Sequence, residues 1–172
     1  MLSIVRFDKN TLAFVLNIDP IDIPLSIRKE AESLQLLKKD EFHITIIGRA
    51  TGEILTNHLQ NFSQEKRINI LATIETLITK TIWNIRLENE YFFIEKAYQN
   101  PEETRKSIIQ IANTPELNQF YKELEILFEV KLDLPIPHVT LFTNSTREKK
   151  KLRGIGIYSA SQMQELNPKK IQ

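Results

Sequence analysis

The chain has 172 residues, of which 41% are hydrophobic and 26% are charged, and its formal net charge is +1. These values are those of an ordinary soluble globular protein, and the length fits one domain over residues 1–172. Because the chain has no cysteine, a disulfide framework, thiolate metal sites and cysteine nucleophiles are excluded. No stretch approaches the roughly 20 apolar residues that cross a bilayer, and the early charges leave no signal peptide, so we expect a cytoplasmic protein without a membrane partner.

The first half of the chain is predicted to mix strands and helices. Aliphatic and aromatic residues predict a strand at 11–18, and the next periodic segment predicts a helix at 25–39. A strand is expected at 41–48, followed by a helical region that contains TGEILTNHLQ and NILATIETLITK. The segments TIWNIRL and YFFIEKA, within 81–97, predict two strands around the polar turn ENE.

The second half is predicted to continue with helices and then strands. A capping residue followed by proline is typical of helix starts, and it occurs at Asn100-Pro101, with Glu103 behind it, and at Thr114-Pro115. We therefore expect helices after both dipeptides. Strands are predicted at 137–143 and 154–159, with a short closing helix at SQMQEL.

The order of these elements contains a faint internal repeat. A strand at 11–18, a helix and a strand at 41–48 are followed later by a strand at 91–97, helices and a strand at 137–143. We therefore predict an α+β fold that is bilobal and pseudo-symmetric, with two β-α-β-type lobes and mostly antiparallel sheets that line a central cleft. A doubly wound sheet would need cleaner alternation of helices and strands.

Two of the three histidines sit in similar apolar strands, EFHITII (41–47) and IPHVTLF (136–142). Because side chains on a strand alternate faces, His43 shares a face with Thr45, and His138 shares one with Thr140. A single histidine in such a strand is usually a satisfied core residue. With thirteen threonines in the chain, two of three histidines having Thr at i+2 is about a 2% chance event. The pair therefore indicates function.

Two histidines, each beside a hydroxyl group, suit acid–base chemistry on a phosphodiester. An ordinary histidine pKa of about 6.5 lets one imidazole act as base while a second, protonated one acts as acid. The two threonine hydroxyls could donate hydrogen bonds to the anionic oxygens between the imidazoles. In-line attack at phosphorus needs a base on the entering side and an acid on the leaving side, without a nucleophilic side chain or a metal.

The motifs His43-x-Thr45 and His138-x-Thr140 resemble the paired motifs of the two-histidine phosphoesterase superfamily, which includes the bacterial RNA 2′,3′-cyclic phosphodiesterases (historically 2′-5′ RNA ligases). The 95-residue separation of the histidines, the proline before the second histidine and the chain length all suit that family. The resemblance implies that the histidines are the catalytic acid–base pair and that the threonines bind the scissile phosphate. It also implies a bilobal α+β fold with both motif strands lining a central cleft.

The activity implied is that of a metal-independent phosphodiesterase, without a cofactor, acting on a 2′,3′-cyclic phosphate or on an RNA 2′,5′ or 3′,5′ linkage. Its partners would be RNA ends or small nucleotides. The alternatives are an RNA-end or nucleotide-binding module with little turnover, or a 2′-5′ RNA ligase. The chain departs from the family pattern at Gly48-Arg49, where many members continue with a longer leucine- or phenylalanine-rich run.

Further candidates for substrate binding lie close to the motifs. Arg49 and Arg147 could neutralise a nucleotide phosphate, and a surface role is the alternative for each. Phe142, predicted on the His138 face, and Tyr158 on the next predicted strand could stack on a base. For Phe142 the alternative is core packing. His58 lacks a hydroxyl partner at i+2 and is assigned to the surface.

Charge is unevenly distributed along the chain. Residues 143–172 hold seven Lys or Arg and two Asp or Glu, a local charge of +5. The segment TREKKKLR (146–153) is either a solvated face or a basic rim that attracts phosphates. No metal site is predicted, since the sequence contains no HExxH motif, no Asp/His cluster and no cysteine pair.

Overall fold

The structure is a computed structural model that describes residues 5–99 and 101–172, giving only the backbone of Val5 and Lys150. Within these ranges the chain forms eight strands and five α-helices. The strands are β1 (Val5–Phe7), β2 (Phe14–Ile18), β3 (Leu37–Lys38), β4 (Phe42–Ile47), β5 (Arg86–Gln99), β6 (Glu102–Asn113), β7 (His138–Ser145) and β8 (Lys169–Ile171). The helices are α1 (Leu25–Ser33), α2 (Arg49–Leu59), α3 (Gln64–Lys80), α4 (Leu117–Phe128) and α5 (Ala160–Glu165).

All eight strands belong to one sheet with the order β1-β2-β4-β7-β6-β5-β8, in which β3 also pairs with β7. Every strand pair in it is antiparallel. The predicted α+β class and the antiparallel pairing are therefore confirmed. The two halves of the chain meet in the middle of the sheet, where β4 lies beside β7.

Helices α1 to α4 cover one face of this sheet and form the main core with it. Leu16, Ile44 and Val139, from three neighbouring strands, are completely buried there, together with Ile74 of α3 and Leu124 of α4. Burying each such side chain contributes about 1.5–3 kcal/mol, and period-two alternation along the strands supplies the apolar face.

A second, smaller core lies on the opposite face, beside β6. Its buried members are Ile94, Ile109, Ile155, Ile157 and Met163. Ile109 belongs to this cluster while its neighbour Ile108 belongs to the main core, which shows that the two clusters occupy opposite faces of the sheet. The segment 154–158 and the short helix α5 therefore pack on the face that α1 to α4 leave open.

The helix predicted after Asn100-Pro101 is wrong, because residues 102–113 form β6. Asn100 itself lies outside the described residues. The cap-and-proline pattern is outweighed by the β-branched Ile108, Ile109 and Ile111 and by pairing with β5 on one side and β7 on the other. The helix predicted after Thr114-Pro115 is confirmed, since α4 begins at Leu117, but Glu116 occupies the N-cap position and the Thr114 hydroxyl has no hydrogen-bond partner among the described residues.

Other element boundaries also differ from prediction. The helix predicted over 25–39 ends at Ser33, because Gln35 has a positive φ of 55° and residues 37–38 pair with β7 instead. Of the two strands predicted within 81–97, the second and the last two residues of the first lie in one long strand, β5, whose register shifts between Leu87 and Tyr91. Residues 81–85, the rest of the first predicted strand, do not form a strand. The strand predicted at 154–159 is wrong, because residues 154–158 have no regular secondary structure and residue 159 is a bend.

A spanning helix needs about 20 mainly apolar residues. Among residues 5–99 and 101–172, no helix combines the length and the apolar character to do so.

Candidate active site

Pairing between β4 and β7 brings the two histidine motifs side by side. Ile44 is the antiparallel partner of Val139, and both side chains are buried in the main core. Since side chains alternate, the histidine and threonine on either side of each residue point to the opposite face. Continuing the same register places His43 across from Thr140, and Thr45 across from His138. Directly opposed residues have Cβ atoms about 4.5–5.5 Å apart.

All four motif side chains line one pocket of ≈ 580 Å³, the histidine pocket. It is bounded by residues from both halves of the chain and by the segment that forms the second core. The other lining residues are Lys39, Gly48, Arg49, Thr51, Tyr98, Pro101, Glu103, Arg105, Pro135, Arg147, Leu152, Arg153, Gly154, Ile155, Gly156, Ile157 and Tyr158. The structure therefore brings together four of the residues predicted from the motifs.

A β-bulge follows the threonine in each motif. On β4, Thr45 pairs with Val15 and Ile47 with Phe14, so Ile46 is the extra residue. On β7, Thr140 pairs with Ile109 and Phe142 with Ile108, so Leu141 is the extra residue. A bulge breaks the alternation of side chains. Consequently both residues after each threonine are buried in the main core.

The bulge on β7 changes the position of Phe142. The sequence placed its side chain on the same face as His138, but the ring lies in the main core and is only 7% exposed. It does not line the histidine pocket. The structure therefore supports the alternative role of Phe142, which is packing in the core.

His138 is buried and held by the backbone. Its Nδ1 lies 2.8 Å from the carbonyl oxygen of Ile136, and because a carbonyl oxygen only accepts, Nδ1 is the donor. Burial lowers the pKa of His138 below its ordinary value, while hydrogen bonding with the backbone of Ile136 and Ile155 opposes that shift. The hydrogen bond at Nδ1 fixes the ring and leaves Nε2 as the nitrogen that can exchange a proton with a ligand.

His43 is less buried, and its surroundings are cationic. Burial is the largest cause that lowers its pKa, and Lys39, Arg6 and His138 lower it further, while Glu41 opposes them. Its Nδ1 is buried and has no hydrogen-bond partner among the described residues. Both imidazoles are therefore held towards the neutral form, and an anion bound between them would favour protonation.

Gly154 lets the segment 154–158, which lines the pocket, approach Thr140 closely. A Cβ atom at position 154 would lie 3.1 Å from Oγ1 of Thr140. This distance is shorter than most contacts that Cβ atoms make in proteins, so Thr140 would have to shift. On either side of Gly156, Ile155 and Ile157 are anchored in the second core. The absence of a side chain at 154 therefore keeps the hydroxyl of Thr140 accessible.

The histidine pocket has a positive electrostatic character. Its lining contains five basic side chains and one carboxylate, which are Lys39, Arg49, Arg105, Arg147, Arg153 and Glu103. The single carboxylate is neutralised by Arg105. Low-dielectric walls lined by one sign of charge concentrate ligands of the opposite sign. Across the described ranges, no cluster of three or more His, Cys, Asp or Glu side chains could hold a metal ion.

A buried ion pair, which the sequence did not reveal, supports one side of the pocket. Two Arg105 nitrogens donate to the two carboxylate oxygens of Glu103, at 2.6 and 2.8 Å. These hydrogen bonds, together with one from Ser145, lower the pKa of Glu103 to about 2 despite burial. Arg105 also donates to the hydroxyl of Tyr98 and to the carbonyl of Gly154. The ion pair thus connects β6 to Tyr98 of β5 and to the segment that contains Gly154.

The secondary candidates other than Phe142 lie at the pocket. Arg49 lines it with a largely exposed side chain that pairs with Glu53 at 2.9 Å. Arg147 and Tyr158 also line it. His58 lies in the last turn of α2 and is not among the lining residues.

Comparison with known proteins gives no family for this chain. No model of a protein family, no curated protein and no solved structure matches it. The chemistry of the histidine pocket is therefore the basis on which a function can be assigned.

Proposed function

We propose that the protein is a metal-independent phosphodiesterase that uses His43 and His138 as its acid–base pair. One observation carries the proposal: two His-x-Thr motifs, far apart in sequence, lie on neighbouring strands and line one positively charged pocket. Neither a metal ion nor a covalent intermediate is required. Turnover of phosphodiesters in the presence of a chelator tests the proposal.

The reaction is an in-line displacement at phosphorus. One neutral imidazole removes a proton from water as the water oxygen attacks phosphorus, and the other, protonated imidazole donates a proton to the departing ribose oxygen. The hydroxyls of Thr45 and Thr140 donate hydrogen bonds to the non-bridging oxygens as negative charge develops on them. The products are a phosphomonoester and a free ribose hydroxyl. Afterwards the histidine that acted as base releases its proton to solvent, and the histidine that acted as acid takes one up. The two histidines exchange roles with the direction of attack.

The proposed substrates are 2′,3′-cyclic phosphates and RNA with 2′,5′ or 3′,5′ linkages. A volume of ≈ 580 Å³ lies within the range of small-ligand sites and exceeds what one phosphate group needs. Tyr98 and Tyr158 line the same pocket, and tyrosine rings suit base stacking. Arg147 and Arg153 would neutralise additional phosphates. These features support RNA ends or small nucleotides as ligands.

We also infer that the chain is a duplicated, two-lobed phosphoesterase-like fold whose halves meet at the pocket. The matching bulges after Thr45 and Thr140 support this duplication. The same placement of a histidine, an aliphatic residue and a threonine before each bulge supports the resemblance to the two-histidine phosphoesterases. The arrangement of the two histidines and two threonines around the pocket would then follow from the duplication.

The pH dependence should separate the free protein from its complex. Because the pKa of both imidazoles lies below 6.5 in the free protein, we expect a bell-shaped profile of kcat/KM with its maximum below that pH. The bound phosphate raises both pKa values, so the maximum of kcat should lie at higher pH. Initial rates from about pH 4 to 9 measure both profiles. Flat or coincident profiles would contradict paired histidine catalysis.

Removing either threonine hydroxyl should reduce turnover. We expect Thr45→Val and Thr140→Val to lower kcat/KM by about 10²–10³-fold, the range for loss of one donor to a developing oxyanion. Thr→Ser at the same positions keeps the hydroxyl and should retain most of the activity. Equal rates for the valine and serine variants would mean that the hydroxyls do not bind the reacting phosphate.

A binding module for RNA ends or nucleotides is the second candidate, and the five basic side chains of the pocket favour it. In that case binding would weaken steeply as salt is raised, and no product would form from cyclic or linear substrates. A ligated product from cyclic-phosphate and 5′-hydroxyl ends would instead reveal RNA 2′-5′ ligation, the same chemistry in reverse.

A further inference from the structure

Asn17 of β2 lies directly across from His43 on the side away from β7. The register pairs Asn17 with His43, and Val15 with Thr45. Leu16, between them, is buried in the main core opposite Ile44. By alternation, the side chain of Asn17 points to the same face of the sheet as the His43 imidazole. Directly opposed side chains of this kind are close enough to interact.

Both residues carry a buried polar atom that lacks a hydrogen-bond partner. Within the described residues, Oδ1 of Asn17 and Nδ1 of His43 are two of four such side-chain atoms. Leaving a buried polar group unpaired costs about 1–3 kcal/mol. The two atoms are chemically complementary, since an amide oxygen only accepts and a protonated Nδ1 donates. A hydrogen bond between them would satisfy both at once.

His138 shows what His43 lacks. Its Nδ1 donates to the carbonyl oxygen of Ile136 at 2.8 Å, and this contact fixes the tautomer and ring orientation. No backbone carbonyl plays this role for His43 among the described residues, because its Nδ1 has no partner. An acceptor in the equivalent role is needed if the two imidazoles are to act as a matched pair.

We propose that Asn17 is a positioning residue for His43, with Oδ1 accepting a hydrogen bond from Nδ1–H when an anion occupies the histidine pocket. This contact holds the tautomer in which Nε2 faces the ligand, and it stabilises the imidazolium when Nε2 takes a proton. Its catalytic consequence rests on the proposed phosphodiesterase function. Other charged groups acting on His43 are Lys39, Arg6, His138 and Glu41.

The neutral amide has a specific consequence. It orients the ring without adding a negative charge, so the pKa of His43 stays low enough for the neutral form to act as base. A carboxylate at position 17 has nearly the same shape but would favour the imidazolium form. Asn17→Asp therefore tests the electrostatic contact without a large change in packing, while Asn17→Leu removes the acceptor.

Histidine ring ¹⁵N spectra of the full chain test the contact directly, with inorganic phosphate in the pocket. In the wild type we expect His43 to be protonated at Nδ1 when neutral. Asn17→Leu should shift its tautomer towards Nε2–H, and Asn17→Asp should raise its pKa. His138 serves as an internal control, because Ile136 holds its Nδ1 in every variant. An unchanged His43 tautomer and pKa in both variants would overturn the proposal.

Kinetics provide the second measurement. If the protein turns over a phosphodiester, Asn17→Leu should lower kcat by about 10–100-fold, the range for partners that orient a functional histidine, with a smaller change in KM. Absence of turnover in the wild type would refute the proposed function while leaving the spectroscopic result interpretable. Normal kcat in Asn17→Leu, with turnover present in the wild type, would refute the positioning role.

Discussion

Replacing either His43 or His138 by Ala is expected to lower kcat by about 10²–10⁴-fold, because each variant removes one half of the acid–base pair. The double variant should lose little more than the worse single variant, since the two imidazoles act as a unit. Single-turnover rates measured with saturating protein separate this loss from weakened binding. His58→Ala is the matched control, and its rate should equal that of the wild type.

Burial makes a folding control necessary for His138. The residue is only 9% exposed and its ring is hydrogen bonded to the backbone, so truncation leaves both a cavity and an unpaired carbonyl. His138→Gln keeps much of the volume and should be equally inactive, with a smaller change in Tm. Wild-type rates in folded His43→Ala and His138→Gln would disprove acid–base catalysis by these residues.

Glu103→Gln is expected to lower the free energy of unfolding by about 3–5 kcal/mol, the range for breaking a buried ion pair. The side chains of Glu103 and Arg105 are 2% and 8% exposed, so the variant leaves the guanidinium buried without its carboxylate. Denaturant unfolding at neutral pH measures the effect. Glu90→Gln removes an exposed pair with Lys170 and should cost less than about 1 kcal/mol.

The ion pair should also control stability in acid. The pKa of Glu103 is lowered from 4.5 to about 2 in the folded protein, so its carboxylate stabilises the fold above pH 4.5, and this contribution is lost as pH falls towards 2. Glu103→Gln should therefore show a shallower loss of stability over that interval. Equal slopes, or a cost at neutral pH no larger than that of Glu90→Gln, would show that the pair contributes little.

The motifs could be predicted from the sequence because they depend on local rules. Alternation of polar and apolar residues identified β4 and β7, and it placed His43 with Thr45 and His138 with Thr140 on one face. The pattern at Thr114-Pro115 likewise predicted that a helix follows, although it did not fix the residue at which α4 begins. These features depend on neighbours within a few residues, which a sequence displays directly.

Features that depend on distant pairing could not be predicted. The strand β6 is stabilised by β5 and β7, which outweigh the helix-start pattern at its beginning. The bulge at Leu141 depends on the register between β7 and β6. Simple alternation, which ignores this bulge, predicts Phe142 on the pocket face. Glu103 and Arg105 stand two apart on a strand, a spacing that carries meaning only once the segment is known to be β.

The role proposed for Asn17 could not be predicted from the sequence either. Nothing in the segment FVLNIDP marks this asparagine as different from a turn residue close to Asp19-Pro20. Its importance follows from the β2–β4 register, which sets it across from His43. Contacts between strands, rather than composition, therefore supply the information that the sequence lacks.

The most direct test of the account is ³¹P NMR of the wild-type protein incubated with 2′,3′-cyclic nucleotides and cyclic-ended RNA in excess EDTA. We expect the cyclic phosphate signal to be replaced by that of one phosphomonoester isomer, 2′ or 3′, and to persist in His43→Ala and His138→Gln. A cyclic phosphate signal that persists with the wild type, together with no cleavage of 2′,5′-linked or 3′,5′-linked RNA under the same conditions, would contradict the phosphodiesterase assignment. Hydrolysis at equal rates by the wild type and the histidine variants would also contradict it.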